Sequence, residues 1–184
     1  MSLQAKRSNP LFIGSVTTSA LGEVWVALSE RGLVTVEYGV TRKVFEASVR
    51  KQTRRDVEYA PTQTSRVTRQ IKEYVDGQRR DFDLAIDWSV LSSDFQRAAL
   101  RVVFAIPYGE TRTYADIAAQ IEHPQAFRAV GRANATNPMP LVIPCHRVIG
   151  SDGKLHGYGG KGGLKTKEWL LKMERENKSP RRAE

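Results

Sequence analysis

Apolar and polar residues alternate along much of the first forty positions, a pattern typical of strands with one buried face. The segments LGEVWVALS and LVTVEYG are rich in valine, leucine and aromatic residues. The sequence SERG, residues 29–32, separates them and has the composition of a tight turn. We therefore predict a small sheet within residues 11–39 that includes a β-hairpin.

Helical spacing replaces this alternation in residues 64–76. Either Thr64 or Ser65 can serve as the N-cap, and Gly77 is expected to end the helix. The apolar face of the predicted helix consists of Val67, Ile71 and Tyr74. One amphipathic helix can thus cover the predicted sheet.

Alternation returns at Phe82, Leu84 and Ile86, which predicts another short strand. The following segment DWSVLSS, residues 87–93, lacks either periodicity. We place a domain boundary in this segment.

Residues from Asp94 onward have mainly helical spacing, with Ser93 as the N-cap and the Pro107-Tyr108-Gly109 turn as the end of the first helix. The predicted apolar face of this helix consists of Phe95, Ala99, Val102 and Ile106. The change in periodicity predicts a mostly helical second domain.

Two further short helices are predicted to form a helix-turn-helix. Thr113 and Asp116 have the spacing of a capping box at the start of the first of them. His123 and Pro124 close that helix, and the next opens at Gln125.

These patterns divide the chain into four parts. Residues 1–10 and 177–184 are predicted to be tails, residues 11–90 an α/β domain, and residues 91–176 a mostly α domain.

Composition narrows the classes of function. The 184 residues contain 29 Lys plus Arg against 20 Asp plus Glu, a net charge of +9, and residues 91–184 carry more of the excess than residues 1–90. Such a charge favours a polyanionic partner, nucleic acid above all, although a basic enzyme without that partner is the alternative. The sequence has no apolar run long enough for a membrane span and no signal-like start, so we expect a soluble, intracellular protein.

A single cysteine excludes an internal disulfide and a cysteine-rich zinc site, and we expect no metal. Cys145 follows the rigid Pro144 and precedes His146 and Arg147. Neighbouring cationic and imidazole groups lower the pKa of a thiol and favour its nucleophilic form. Successive side chains of an extended segment point in opposite directions, so His146 would act on Cys145 through a bridging group. A buried cysteine that serves only in packing is the alternative.

Three small residues recur in the helical segment that begins at Arg128 and give it a slender surface: Ala129, Gly131 and Ala133. A glycine within a helix costs about 1 kcal/mol relative to alanine, so a packing or contact reason for Gly131 is expected. Such a slender helix could bring its backbone close to a nucleic-acid groove.

Landmarks of a known family occur in order between Phe95 and Leu171. They are Phe95-Gln96, Ile106-Pro107-Tyr108-Gly109-Glu110, Thr113-Tyr114, Arg128-Ala129-Val130-Gly131, Asn137-Pro138, Pro144-Cys145-His146-Arg147-Val148 and Lys167-Glu168-Trp169-Leu170-Leu171. With these motifs the chain resembles the O6-alkylguanine-DNA alkyltransferases. The resemblance implies a ribonuclease-H-like α/β domain followed by a mostly α domain with a winged-helix-like helix-turn-helix.

The resemblance also implies the chemistry. Cys145 would accept the alkyl group from guanine O6, His146 would act on it through water, and Glu174 would orient His146, with Glu176 as the fallback. Tyr114 would protonate the departing guanine and help to rotate the nucleotide out of the duplex. The product is a thioether, so each molecule would react once.

The remaining roles implied by the resemblance concern DNA and the guanine pocket. Arg128 would fill the gap that the extruded base leaves, and Asn137 would tie the recognition helix to the active-site turn. Ala129, Gly131 and Arg132 would contact DNA in the minor groove, while Pro140, Val148, Tyr158 and Gly159 would line the guanine pocket. The implied partner is double-stranded DNA that contains O6-alkylguanine or O4-alkylthymine.

The family further implies a monomer without a cofactor or a membrane association, located in the cytoplasm, or in the nucleus of a eukaryotic host. This sequence departs from common family patterns at Phe127, Arg132, Met173 and the loop 159–163. Pocket width and the assignment of Glu174 depend most on these positions.

Three other functions stay open at this point. A non-catalytic binder of alkylated DNA would lack the acceptor thiol, which this chain has. A helix-turn-helix regulator would bind DNA sequence-selectively, with Cys145 as a sensor or core residue. A thiol hydrolase that uses Cys145 and His146 would process many substrate molecules per protein.

Overall fold

A computed structural model describes residues 9–159 and 162–178. Its first unit is a four-stranded sheet in the order β3-β2-β1-β4, formed by β1 (Leu11–Thr18), β2 (Gly22–Ser29), β3 (Gly32–Tyr38) and β4 (Val57–Tyr59). The first three strands pair antiparallel, and β4 pairs parallel to β1. The predicted hairpin is confirmed as β2 and β3. At its turn Gly32 has φ +131°, a conformation that favours glycine.

Two helices cover the two faces of this sheet. One face packs on α1 (Arg42–Thr53), which buries Phe45 and Val49. The other packs on α2 (Pro61–Val75), where Gly14 of β1 allows Thr64 to approach closely. Helix α1 was not predicted from the sequence, because it buries only Phe45 and Val49, at i and i+4, and exposes the apolar Val44 to solvent.

The start of α2 differs from the prediction. The helix begins at Pro61, which needs no N–H partner in the first turn, rather than near residue 64. Thr64 is fully buried inside the helix, and its hydroxyl donates to the Ala60 carbonyl instead of capping.

The predicted strand at Phe82, Leu84 and Ile86 is wrong. Only an isolated parallel bridge joins Ile86 to Leu33 of β3. The Leu33 N–H donates to the Ala85 carbonyl, and the Asp87 N–H donates to the Leu33 carbonyl. The apolar side chains here pack on the core without extending the sheet.

The second unit is mostly helical, as predicted. It contains α3 (Asp94–Phe104), β5 (Arg112–Thr113), α4 (Tyr114–Gln120), α5 (Phe127–Ala135), β6 (Val148–Ile149) and α6 (Leu164–Glu176). Ser93 caps α3, and the capping box of Thr113 and Asp116 starts α4, both as predicted. Helix α5 begins two residues after the expected Gln125. The buried face of α3 is Ala99, Leu100 and Val103, whereas Phe95 and Val102 are only half-buried.

One hydrophobic cluster runs through both units. It joins Tyr74 of α2 to Leu100 of α3, Ile143 and Leu170 of α6. The two units are therefore packed against each other rather than linked loosely.

Most of both predicted tails, residues 1–8 and 179–184, lies outside the described residues. No helix in the described ranges is both long enough and apolar enough to span a bilayer. The described residues also contain no cluster of three or more His, Cys, Asp or Glu side chains that could hold a metal ion.

Candidate active site

Cys145 opens a single 3-10 turn, Cys145–Arg147, between Pro144 and β6. Its backbone N–H donates to the Ile143 carbonyl at 2.8 Å, and Leu141 upstream has φ 75° with its side chain fully buried. This tight backbone path places the thiol on the wall of a cavity of about 430 Å³. Cys145 itself is 5% exposed.

The Cys145 thiol does not have the lowered pKa that its basic sequence neighbours predicted. Burial raises its pKa, and the opposing effects of Asn137 and Lys167 do not compensate. Removal from water disfavours the thiolate more than nearby donors and charges favour it. The thiol is therefore neutral at rest and needs a base for attack.

His146 follows Cys145 in the 3-10 turn and is fully buried. Its Nε2 is 2.9 Å from Glu174 Oε1 and 3.1 Å from the Tyr74 hydroxyl. Its Nδ1 is buried and has no hydrogen-bond partner among the described residues. Burial lowers the pKa of His146, so the ring is neutral, and the carboxylate at Nε2 leaves the Nδ1 lone pair available as a base.

Glu174 accepts hydrogen bonds from several buried groups around His146. It is fully buried and accepts from the Tyr74 hydroxyl at 2.6 Å, from the Gly109 N–H at 2.9 Å and from the Arg147 guanidinium at 2.8 Å. Burial raises the pKa of this carboxyl, but hydrogen bonds from His146 and Arg147, together with the charge of Arg147, outweigh burial and lower it to about 2. Glu174 is therefore ionised and held rigidly.

The fallback residue does not lie at the site. Glu176 is mostly exposed, and its carboxylate is 3.8 Å from Lys172 Nζ. Met173, a departure from common family patterns, is buried and accepts a hydrogen bond from the Tyr108 hydroxyl at 3.3 Å.

Three buried residues of the site were missed by sequence reasoning. Tyr74 was assigned only to a helix face, and Arg147 only to the basic setting of the cysteine. Lys167 appeared only within a family landmark, yet its Nζ donates to the Val148 carbonyl at 2.6 Å and to the His156 carbonyl at 2.9 Å. Burial lowers the pKa of Lys167 to about 8. The signal in the sequence was the helical spacing of Lys167 with the apolar Leu170 and Leu171, which places a cation on the apolar face of the helix.

Tyr114 is the first residue of α4 and is half-buried. Its hydroxyl lies 3.4 Å from the His156 carbonyl, and Lys167 Nζ lies 5.8 Å from its ring centroid. Burial, aided by Cys145, raises the pKa of Tyr114, which keeps the hydroxyl protonated.

Helix α5 turns one face to the core and the other to solvent. Val130, Ala133 and Asn134 are buried. Arg128, Ala129 and Arg132 are exposed, and in the described part of the chain neither arginine forms an ion pair. A Cβ at Gly131 would meet nothing closer than the Tyr114 ring at 3.9 Å, so packing inside the protein does not require this glycine.

Asn137 connects the end of α5 to the cysteine turn, as expected. Its amide donates to the Ile143 carbonyl at 2.8 Å, and its Oδ1 accepts from the Met139 N–H at 3.0 Å. These bonds fix the backbone two residues before the thiol.

The cavity beside Cys145 includes Pro140, Tyr158 and Gly159, three of the four expected pocket residues. Val148 is not on its wall: the residue is buried, and its carbonyl accepts from Lys167. A side chain at position 159 would come within 2.8 Å of the Ala135 carbonyl, so only glycine fits. Gly160 and Lys161 of the same loop lie outside the described residues.

Family models match both units. Residues 13–88 match the 6-O-methylguanine DNA methyltransferase ribonuclease-like domain, and residues 94–176 match the 6-O-methylguanine DNA methyltransferase DNA binding domain.

Two curated relatives carry the name methylated-DNA–protein-cysteine methyltransferase. The protein from Methanosarcina barkeri is 51% identical over 109 residues, which cover 59% of this chain and 66% of the relative. The protein from Mycolicibacterium paratuberculosis is 52% identical over 106 residues, covering 58% of this chain and 62% of the relative. These matches span somewhat less than two thirds of the curated relatives.

Solved structures match over more of the chain. Mycobacterium tuberculosis OGT in complex with DNA superposes with a TM-score of 0.74 at 34% identity, covering 90% of this chain and 94% of that chain. The M. tuberculosis O6-methylguanine methyltransferase gives a TM-score of 0.74 at 32% identity, covering 94% and 96%. A methyltransferase from Pyrococcus kodakaraensis, at 21% identity and a TM-score of 0.61, shows the shared fold alone.

Proposed function

The chain belongs to the 6-O-methylguanine DNA methyltransferase family, and from that premise we propose that it repairs DNA by moving the alkyl group of O6-alkylguanine onto Cys145. One observation carries the proposal. A neutral thiol lies on a cavity wall, next in sequence to a buried histidine whose free nitrogen is a base and whose other nitrogen is held by an ionised glutamate.

The first step is removal of the thiol proton. Because burial keeps Cys145 protonated, His146 takes the proton at Nδ1 through a bridging water, and Glu174 stabilises the resulting imidazolium. Tyr74 and Arg147 hold Glu174 in place. Asn137 and Lys167 favour the thiolate once it forms.

Displacement follows at the alkyl carbon. The Cys145 sulfur forms a bond to carbon, the carbon–O6 bond breaks, and its electron pair goes to the guanine. The protonated Tyr114 hydroxyl donates a proton to the departing base, which balances the proton taken by His146. The thioether has no leaving group that the site could activate, so each molecule reacts once.

DNA would lie along the exposed face of α5. Among the described residues Arg128 and Arg132 form no ion pair, and the small residues Ala129 and Gly131 allow close approach. We propose minor-groove binding with mostly phosphate contacts, because a repair protein has to scan every sequence. Arg128 would occupy the space of the extruded nucleotide, whose removal from the stack costs a few kcal/mol.

Several finer proposals rest on the family alone. They are activity on O4-alkylthymine, a monomeric state, and a location in the cytoplasm or in the nucleus of a eukaryotic host. Sedimentation and assays on O4-methylthymine DNA test the first two directly.

Intact-protein mass spectrometry tests the central proposal. After incubation with O6-methylguanine duplex, we expect one added methyl group per molecule, mapped to Cys145, and no further turnover. The Cys145→Ala variant should bind the same DNA and transfer nothing. Loss of lesions without protein modification would favour a turnover enzyme, and binding without transfer by the wild type would favour a lesion-binding protein.

A further inference from the structure

The cavity beside Cys145 is built by both units of the chain. Its first wall belongs to the second unit and includes Asn137, Pro140 and Tyr158. Its opposite wall is residues 35–40, the end of β3 and the turn after it. Two hydrogen bonds fix this wall, because the Val36 N–H and the Thr35 hydroxyl donate to the Pro138 carbonyl at 2.9 and 2.8 Å.

Two buried tyrosine hydroxyls, one from each wall, face each other at this cavity. A hydrogen-bond interaction between Tyr38 and Tyr158 contributes to the pKa of each, and within residues 9–159 and 162–178 neither hydroxyl has any other partner. Burial raises the pKa of Tyr38 to about 12 and raises that of Tyr158 well above its ordinary value. Each phenol affects the pKa of the other, and Cys145 affects both, so the two hydroxyls and the thiol are neighbours.

Both hydroxyls are therefore protonated donors at neutral pH. When one phenol donates to the other, one hydroxyl proton of the pair is left without an acceptor, and a buried unsatisfied donor in a native structure calls for a functional explanation. An oxygen atom on a bound substrate would accept that proton.

The geometry of the displacement reaction directs the alkyl chain of a bound adduct toward the two tyrosine hydroxyls. The attacking sulfur, the transferred carbon and guanine O6 must be nearly collinear, so the other substituents of that carbon point across this line. A methyl group carries only hydrogens there. Any longer alkyl chain extends sideways from Cys145 along the cavity wall.

We propose that Tyr38 and Tyr158 form a subsite for alkyl groups that carry an oxygen, such as 2-hydroxyethyl, and that Tyr38 makes the first unit a determinant of substrate preference. The inference rests on the proposed transfer to Cys145. It adds no chemical step, since the same sulfur–carbon bond forms and the same carbon–oxygen bond breaks.

A matched pair of adducts tests the subsite. O6-(2-hydroxyethyl)guanine and O6-propylguanine, each placed once in the same duplex, have equal numbers of heavy atoms and differ in one oxygen. The measurement is the single-turnover rate of Cys145 alkylation for each, expressed as the hydroxyethyl-to-propyl ratio. A ratio cancels any general loss of active or folded protein.

Removing either hydroxyl should lower this ratio. For Tyr38→Phe and for Tyr158→Phe we expect a decrease of about two- to tenfold, the range for one neutral hydrogen bond. Tyr59→Phe on β4, where the ring is 45% exposed and away from the cavity, is the matched control and should leave the ratio unchanged.

An unchanged or increased ratio in both variants would overturn the inference. The two levels of proposal remain separable, because the same assay includes O6-methylguanine duplex. If wild-type protein fails to accept that methyl group, the proposed function itself is wrong; if it accepts methyl and the ratios do not move, only the subsite is wrong.

Discussion

The charged groups differ between two regions of the molecule. One region is the buried hydrogen-bonded group of Tyr74, His146, Arg147 and Glu174, here called the relay, and the other is the exposed face of α5. In the relay, Glu174 accepts from His146, Arg147, Tyr74 and the backbone, and every one of these side chains is buried. On α5, Arg128 and Arg132 are exposed, without an ion-pair partner in the described ranges. The hydrogen bonds within the relay hold its side chains in place for the proposed reaction. The exposed arginines of α5 are available to a negatively charged partner.

This difference separates two kinds of variant. A change in the relay should affect alkyl transfer from every substrate, including the free base. A change on α5 should affect transfer from duplex DNA while leaving the free-base reaction intact.

Replacement of the base should have the largest effect on rate. For His146→Gln we expect alkyl transfer to slow by about 10²- to 10⁴-fold, the usual contribution of a positioned general base. The loss should be the same for free O6-alkylguanine and for duplex, measured by single-turnover mass spectrometry. A loss confined to duplex would place His146 in DNA binding instead. His123→Gln, at an exposed position between α4 and α5, is the control.

Removing the relay carboxylate should have the largest effect on stability. Glu174→Gln leaves the buried Arg147 without its counter-charge, and breaking a buried ion pair costs about 3–5 kcal/mol. Urea unfolding should show this loss in the free energy of unfolding. The exposed Glu176→Gln should change it by less than about 0.5 kcal/mol.

The same carboxylate predicts a pH dependence. Its folded pKa of about 2 lies below the ordinary value of 4.5, so the ionised form stabilises the fold. This contribution is present above pH 4.5 and is lost as the pH falls toward 2. Glu174→Gln should flatten the unfolding free energy over that window, and an equally steep acid loss in the variant would assign it to other groups.

Local features of the fold were predictable, and tertiary ones were not. The Ser93 cap and the Thr113–Asp116 capping box depend on residues within one helical turn, and both are confirmed. Helix α1 was missed because only Phe45 and Val49 are buried. Alternation at 82–86 indicated a strand, but this segment pairs with β3 only at one isolated bridge, between Ile86 and Leu33.

The site shows the same limit. Family landmarks singled out Cys145, His146 and Asn137. The hydrogen bonds of Asn137 are local, whereas His146 reaches Glu174 across 28 residues and Tyr74 across 72. Tyr74 reaches Glu174 across 100 residues, and no local pattern reports such a contact. The thiol pKa was predicted in the wrong direction because adjacent residues were visible in the sequence and burial was not.

A substitution at Arg128 tests whether the exposed face of α5 acts on duplex DNA. For Arg128→Ala we expect transfer from duplex to slow by about 10- to 100-fold, because stabilisation of an extruded nucleotide, worth a few kcal/mol, is lost. Transfer from the free base should not change. Equal slowing on both substrates would refute the role in extrusion. Arg69→Ala on α2, with its side chain 70% exposed, controls for loss of one positive charge.

A substitution at Gly131 has the smallest expected effect. It should change the stability of the free protein and the affinity for duplex DNA in opposite directions. Alanine fits at this position without a clash, since the nearest atom to its Cβ would be the Tyr114 ring at 3.9 Å. Removing a mid-helix glycine should therefore stabilise the free protein by up to about 1 kcal/mol. If the slender face of α5 contacts DNA, Gly131→Ala should also weaken duplex binding, measured by fluorescence anisotropy, while free-base transfer stays constant. A variant that is more stable and binds DNA as well as the wild type would move the contact surface away from this part of α5.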